Sequence, residues 1–215
     1  MGEVFFTADW HFGHQRISEL AERPFASVEE MNEEMVRRHN EWVNPSDTVW
    51  VLGDVAMGPI AESLALCRRM NGRKHLISGN HDRTWTGYPH SGAHTLEGWR
   101  RRYVDEGGFD AIITGSGFAR SGAVIQVPLG FGGEPVQLWH FPRTGDSQAD
   151  DRYAQWRPRP WRTRGKPAPW LLHGHVHQAW QVRPEVQEIN VGVDVWGFEP
   201  VHVSRIIELI DDGPQ

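Results

Sequence analysis

The chain has 215 residues and a mass of 24.6 kDa, with 39% hydrophobic, 23% charged and 11% aromatic residues; at this size about 70% of the unfolded surface can be buried, enough for one sizeable core. Eleven tryptophans exclude a disordered tail, and a single cysteine, Cys67, excludes a disulfide framework and every multi-cysteine zinc or iron–sulfur site. The net charge of −6 argues against a dedicated duplex-DNA binder but not against a phosphate-bearing substrate, because bound divalent metals can invert a local field.

Val4–Ala8 reads as a short buried strand ending at Asp9. Ser27-x-x-Glu30 is a capping box opening a helix, with Val28, Met31, Met35 and Trp42 at helical spacing. Asn44-Pro45-Ser46-Asp47 turns the chain into a second strand, Thr48–Leu52, which ends at Gly53-Asp54. Pro59 suits the first turn of a helix carrying Ile60, Leu64 and Cys67 on one face, and Asn71-Gly72 ends it. His75–Ser78 is a third strand, ending at Gly79-Asn80-His81-Asp82. This alternation marks an α/β protein.

Residues 83–108 carry no clear assignment. Ala111–Thr114, Ala123–Pro128 and Pro135–Trp139 read as strands, 142–168 as a long loop, and Trp170–Leu172 as a strand leading into His173. Glu188–Val191 and Val201–Leu209 read as closing strands. No run approaches the roughly 18 apolar residues of a membrane span, and the start lacks a secretion signal. The expectation is one domain over 1–215, cytoplasmic and without a membrane partner.

Reactive residues recur where strands end: Asp9 and His11, Asp54, Asn80 and His81, His140, then His173, His175 and His177. In α/β sheets, ligands bind outside the carboxyl ends of strands. Asp-x-His or Gly-Asp alone means nothing, but His-Gly-His-x-His is expected about 0.004 times by chance and Gly-Asn-His-Asp about 0.002 times. Carboxylate, amide and imidazole donors without thiolate suit manganese, iron, zinc or nickel better than magnesium or calcium. Two Asp, one Asn and four or five of these His exceed one tetrahedral ion and fit two divalent transition-metal ions sharing a carboxylate.

Asp9-x-His11, Gly53-Asp54, Gly79-Asn80-His81-Asp82, His140 and Gly174-His175-x-His177 resemble the motifs of the calcineurin-like metallophosphoesterases. The resemblance runs from residue 4 to about 209 and is closest to small single-domain bacterial and phage members, which share Phe12-Gly13-His14, Met31-Asn32-Glu33 and Asn190-Val191-Gly192-Val193. It implies a four-layer α/β/β/α sandwich. It implies that Asp9, His11 and His177 hold one metal, Asp54 bridges, and Asn80, His140 and His175 hold the other. His81 is then the acid that protonates the leaving oxygen, Asp82 orients or charge-supports that imidazole, and His14 is a substrate-pocket or supporting residue. Trp139 stands before His140 where the family often has glycine, and 83–139 transfers nothing.

The implied activity is a phosphodiesterase in which a metal-bridging hydroxide attacks phosphorus, with manganese the first choice of metal and small phosphodiesters such as 2′,3′-cyclic nucleotides the first substrates. Nucleases, phosphoprotein phosphatases and dinucleoside polyphosphatases share the machinery, and a scaffold that has lost chemistry is the rival from another class. His173 reads as a structural strand-end residue, Asp194 as a surface or turn residue with hydrogen bonding to a ligand histidine as the alternative, and Cys67 and most Trp as core. Arg152, Arg157, Arg159, Arg162, Arg164 and Lys166, interleaved with Trp156 and Trp161, read as a solvated loop; the alternative is a surface for a second phosphate and a base of single-stranded nucleic acid.

Overall fold

The computed structural model describes residues 2–90, 95–114, 123–126, 135–144, 153–159 and 168–212. Two five-stranded sheets organise it. In the first, β1 (Val4–Thr7), β2 (Thr48–Val51), β3 (Arg73–Ile77) and β4 (Phe109–Ile113) run parallel in chain order, and β10 (Val201–His202) pairs antiparallel with β1. In the second, the order is β5 (Ala123–Gln126), β6 (Pro135–Leu138), β7 (Leu171–His173), β9 (Glu188–Asn190) and β8 (Val182–Arg183). The central pairs β6–β7 and β7–β9 are parallel, and the edge pairs are antiparallel.

Strand alternation sends neighbouring residues to opposite faces. Phe5, Val49, Val51 and Leu76 face a cluster with Met31 and Met35 of α2 (Val28–Trp42), Leu64 and Cys67 of α3 (Ile60–Arg69), and Trp99 and Tyr103 of α4 (Leu96–Asp105). Phe6, Leu52 and Ile77 face a second cluster with Val136, Leu138, Leu171, Leu172 and Ile189 of the other sheet. The first sheet is therefore covered by helices on one side and by its partner sheet on the other. This is the α/β class and paired-sheet arrangement that the motifs imply. The predicted Ser27 cap is present, accepting from the Glu30 N–H, while the Glu30 side chain reaches back one residue further, accepting from the Ala26 N–H instead of the Ser27 N–H.

The structure departs from or adds to the sequence reading at four places. Val201–Leu209 is not one strand: the chain leaves β10 at His202 and continues as the helix α5 (Val203–Asp211). The His202 ring accepts from the Ser204 N–H at its start, and Val203, Ile206, Ile207 and Ile210 keep helical spacing against the inter-sheet core. The β-branched run that suggests a strand is overridden by this packing. Residues 83–108, unassigned from sequence, contain α4, capped by Thr95 and buried through Trp99 and Tyr103 at i, i+4. A four-residue helix, α1 (Ile17–Leu20), precedes α2, and Pro59 sits at the N-cap of α3 rather than inside its first turn. No helix among the described residues is long and apolar enough to cross a membrane.

Candidate metal centre

The site lies where the parallel strands of both sheets end. β1 and β2 keep pairing past their ends: the Asp9 N–H donates to Gly53 O (3.0 Å) and the His11 N–H to Asp54 O (2.9 Å). From the other sheet, the Gly174 N–H donates to His140 O (3.0 Å), so the loops after β6 and β7 travel together. The sheets meet where the His175 N–H donates to Asp9 Oδ2 (2.9 Å). The glycines beside these residues are needed for close approach: a Cβ on Gly174 would lie 2.5 Å from Asp9 Oδ2, and one on Gly192 would lie 2.7 Å from the same oxygen.

Two groups of potential ligand atoms result: Asp9, His11 and His177, and Asp54, His140 and His175, each group's atoms lying within 4.8 Å of one another. Asp54 joins them. Its Oδ1 accepts from the His81 N–H (2.8 Å), while Oδ2 lies 3.7 Å from His11 Nε2 and 3.4 Å from His140 Nε2. Asn80 belongs with the second group, its Oδ1 being 3.0 Å from His140 Nε2. The other ring nitrogen of His140 donates to Leu52 O (2.7 Å), which turns Nε2 into the site. All seven residues predicted as ligands are therefore brought together, from loops as far apart in sequence as Asp9 and His177.

The donors fit divalent metals. Asp9 Oδ1 and both ring nitrogens of His11 are buried without a hydrogen-bond partner, a cost that bound cations would remove. Burial pushes the Asp9 carboxyl up to about 6. Burial also opposes the charge on Asp54, but His140, His81 and His11 hold its carboxyl well below the usual range. Burial opposes protonation of His140 as well, yet Asp54 beside it raises the imidazole to about 9. Nitrogen and oxygen donors without sulfur suit manganese, iron, zinc or nickel.

His81 lies outside both groups and is half-buried, its ring 5.4 Å from that of His11. His14 is also half-buried, 5.5 Å from the His11 ring, with burial and then the nearby His81 lowering its pKa. Asp82 differs from expectation. Its carboxylate accepts from the backbone N–H groups of Asp54 (2.8 Å), Val55 (3.0 Å) and Gly79 (2.8 Å), and no hydrogen bond joins it to the His81 ring. It staples the Asp54 loop to the Asn80 loop instead of orienting the imidazole.

Asp194 is likewise not a surface residue. Its side chain is buried and accepts from His177 Nδ1 (2.8 Å) and from Arg23. Arg23, which the sequence reading passed over, carries no local signal, since its partner is 171 residues away. The shared phrases gain purposes too. The Asn32 side chain accepts from the Gly13 N–H, and Asn190 donates to His177 O and Trp180 O, holding the loops around His11 and His177. His173 is buried at the end of β7 and donates to Gly174 O (2.7 Å), outside both groups, as expected of a structural residue. Trp10 is core, with its Nε1–H donating to Thr7 Oγ1 (3.2 Å).

In the basic segment, Arg152, Trp161, Arg162, Arg164 and Lys166 lie outside the described residues. Trp156 packs edge-on to Trp85, its carbonyl accepts from Trp139 Nε1, and Arg157 is buried with its guanidinium on Pro142 O. Tyr153 lies edge-on to the His175 ring at 5.3 Å. Among the described residues of this stretch, Tyr153, Trp156 and Arg157 are packed against the fold, Tyr153 beside the second ligand group, and Arg159 is exposed.

Known proteins point the same way. The chain is 35% identical over 206 residues to the gene 66 protein of Mycobacterium phage L5, covering 92% of this chain and 89% of the phage protein. It is 34% identical over 220 residues to the gene 66 protein of Mycobacterium phage D29, covering 99% and 98% respectively. Among solved structures, a protein of unknown function from Aquifex aeolicus superposes over 98% of this chain and 100% of its own with a TM-score of 0.67; at 21% identity it shares the fold. The calcineurin-like phosphoesterase profile matches residues 3–179, a span containing every candidate ligand, and the chain belongs to that family.

Proposed function

We propose that the protein is a binuclear metal-dependent phosphodiesterase acting on small phosphodiesters, with 2′,3′-cyclic nucleotides the first candidates. The observation that carries this reading is Asp54 Oδ2 lying 3.7 Å from His11 Nε2 and 3.4 Å from His140 Nε2, where it could serve both candidate ligand groups. Asp9, His11 and His177 would hold one ion and Asn80, His140 and His175 the other, with Asp54 common to both and manganese the preferred metal. Two bound ions would supply a hydroxide nucleophile at neutral pH and clamp the phosphate oxygens.

The chain's own residues do the rest. His81, half-buried with its backbone held by Asp54, presents an imidazole from outside both ligand groups, where it can give a proton to the departing oxygen. An alkoxide is a poor leaving group, so that proton matters most for nucleotide esters. His14 lines the same rim and is kept neutral by burial, which suits it to hydrogen-bond the substrate.

The test is a substrate panel with manganese: a chromogenic phosphodiester, 2′,3′-cyclic nucleotides, single-stranded oligonucleotides, phosphomonoesters and phosphopeptides. Metal-dependent turnover favouring the small diesters is expected. Preference for monoesters or phosphopeptides would move the protein to the phosphatases, and no turnover of any ester would leave the scaffold reading.

A further inference from the structure

The two ligand groups are held by different devices. The second is stapled by Asp82 through backbone N–H groups. The first must join Asp9 and His11, which follow β1 of one sheet, to His177, which follows β7 of the other. A buried arginine spans that gap. The Arg23 and Asp194 side chains are 0% and 2% exposed. Arg23 Nε donates to Asp194 Oδ1 (2.7 Å) and Nη2 to Asp194 Oδ2 (3.0 Å), a bidentate fork. The remaining donors reach Asp9 O (2.7 Å), Trp10 O (3.0 Å) and Met31 Sδ (3.5 Å), so all five guanidinium N–H groups are used. Asp194 Oδ2 also accepts from His177 Nδ1 (2.8 Å). That bond places the proton on Nδ1 and turns Nε2 toward Asp9 and His11. One guanidinium therefore grips the backbone of Asp9 and Trp10 and, through one carboxylate, the ring of His177.

We propose that Arg23, acting through Asp194, is a positioning residue specific to the Asp9–His11–His177 metal position, and that it sets the affinity of that position without setting the affinity of the other. The inference rests on the metal-holding reading above. A general structural clamp would not discriminate between the two positions, whereas the contacts of Arg23 reach ligands of one group only. Lysine keeps the charge but cannot reproduce a planar fork plus two further directed bonds.

The experiment is manganese binding, followed by calorimetric titration and electron paramagnetic resonance, in wild type, Arg23→Lys and Asp194→Asn. Wild type is expected to bind two Mn²⁺ per chain with the spectrum of a coupled pair. Arg23→Lys is expected to bind the first-position ion roughly 10–100-fold more weakly, the range for losing a partner of a ligand histidine. At metal concentrations that fill wild type it should show one ion per chain and an isolated six-line spectrum, with second-position affinity unchanged. Asp194→Asn, which keeps the side chain's size, should show the same loss and carries the test should the lysine variant fail to fold. Two ions bound at wild-type affinity in either folded variant would overturn the proposal, as would equal weakening of both positions. A wild-type chain that binds no manganese would overturn the metal reading beneath it.

Discussion

The candidate ligand side chains hang from an unusual backbone. Asp9, His11, Asp54, His175 and His177 all have φ between 48° and 74°, five of the eight non-glycine residues with positive φ among those described. Such conformations cost about 1–3 kcal/mol each and persist only where the surroundings over-determine them. Here the surroundings are the continued β1–β2 pairing, the Asp82 staple and the Arg23 fork. The strain aims side chains from sharply turned loops into one space, so its residues are the sensitive ones. Asp54→Ala should leave fewer than two metals per chain by elemental analysis and abolish turnover; an active variant with two metals would remove Asp54 from the bridge. His81→Ala should keep both metals and lose roughly 10²–10⁴ in rate with alkyl-like leaving groups, the usual range for general acid–base catalysis. With nitrophenolate the loss should be smaller, because that group leaves without a proton. Equal losses with both would make His81 a phosphate-positioning residue. The seven candidate ligands and His81 are readable because each follows the end of a strand, all but His140 in a short local phrase. Arg23 and Asp194 are not, because nothing local to either residue announces a pair formed across 171 positions.

Elements were legible where periodicity and punctuation agreed. The capped α2 and the strands β1 to β3 are stated twice, by apolar spacing and by the turn residues that bound them. The end of the chain is stated ambiguously. Val201–Leu209 is rich in β-branched residues, which favours a strand, but its apolar positions also satisfy a helix. The two readings bury different residues. A strand would place His202, Ser204, Ile206 and Glu208 on one face; α5 buries Val203 and Ile206, packs Ile207 and Ile210 beside them, and leaves Glu208 exposed in a pair with Arg205. Ile206, at 0% exposure, should cost about 2–5 kcal/mol when cut to alanine, the range for large-to-small changes in a core. Glu208→Ala should stay within about 0.5 kcal/mol. Urea unfolding of the two variants checks the phase of the helix, and comparable losses at both positions would contradict it.

At the scale of the whole molecule, stability is linked to pH through a histidine outside both candidate ligand groups. His39 lies on the buried face of α2, and its Nε2 is 3.0 Å from Asn71 O, just beyond α3. The ring also meets Trp10 edge-on. The bond to a carbonyl requires the ring to donate, which a neutral imidazole can do at one nitrogen. Burial lowers its pKa from 6.5 to about 4, with Lys74 adding to the shift against the opposing bond to Asn71. The unfolded chain therefore takes up a proton near pH 6.5 that the folded chain refuses until about pH 4. Above pH 6.5 both states are neutral and the ring makes no pH-dependent contribution. As pH falls from 6.5 toward 4, the unfolded state is favoured progressively, by about 3 kcal/mol in all at 1.36 kcal/mol per unit. Below pH 4 both states are charged and the slope vanishes. His39→Gln keeps a side-chain N–H for Asn71 but has nothing to titrate. Its unfolding free energy, measured with chelator present in both proteins, should lose its advantage or deficit relative to wild type in one direction only: wild type should fall relative to the variant between pH 6.5 and 4. Parallel curves across that window would show that His39 titrates alike in the folded and unfolded chains, and that its burial carries no proton linkage.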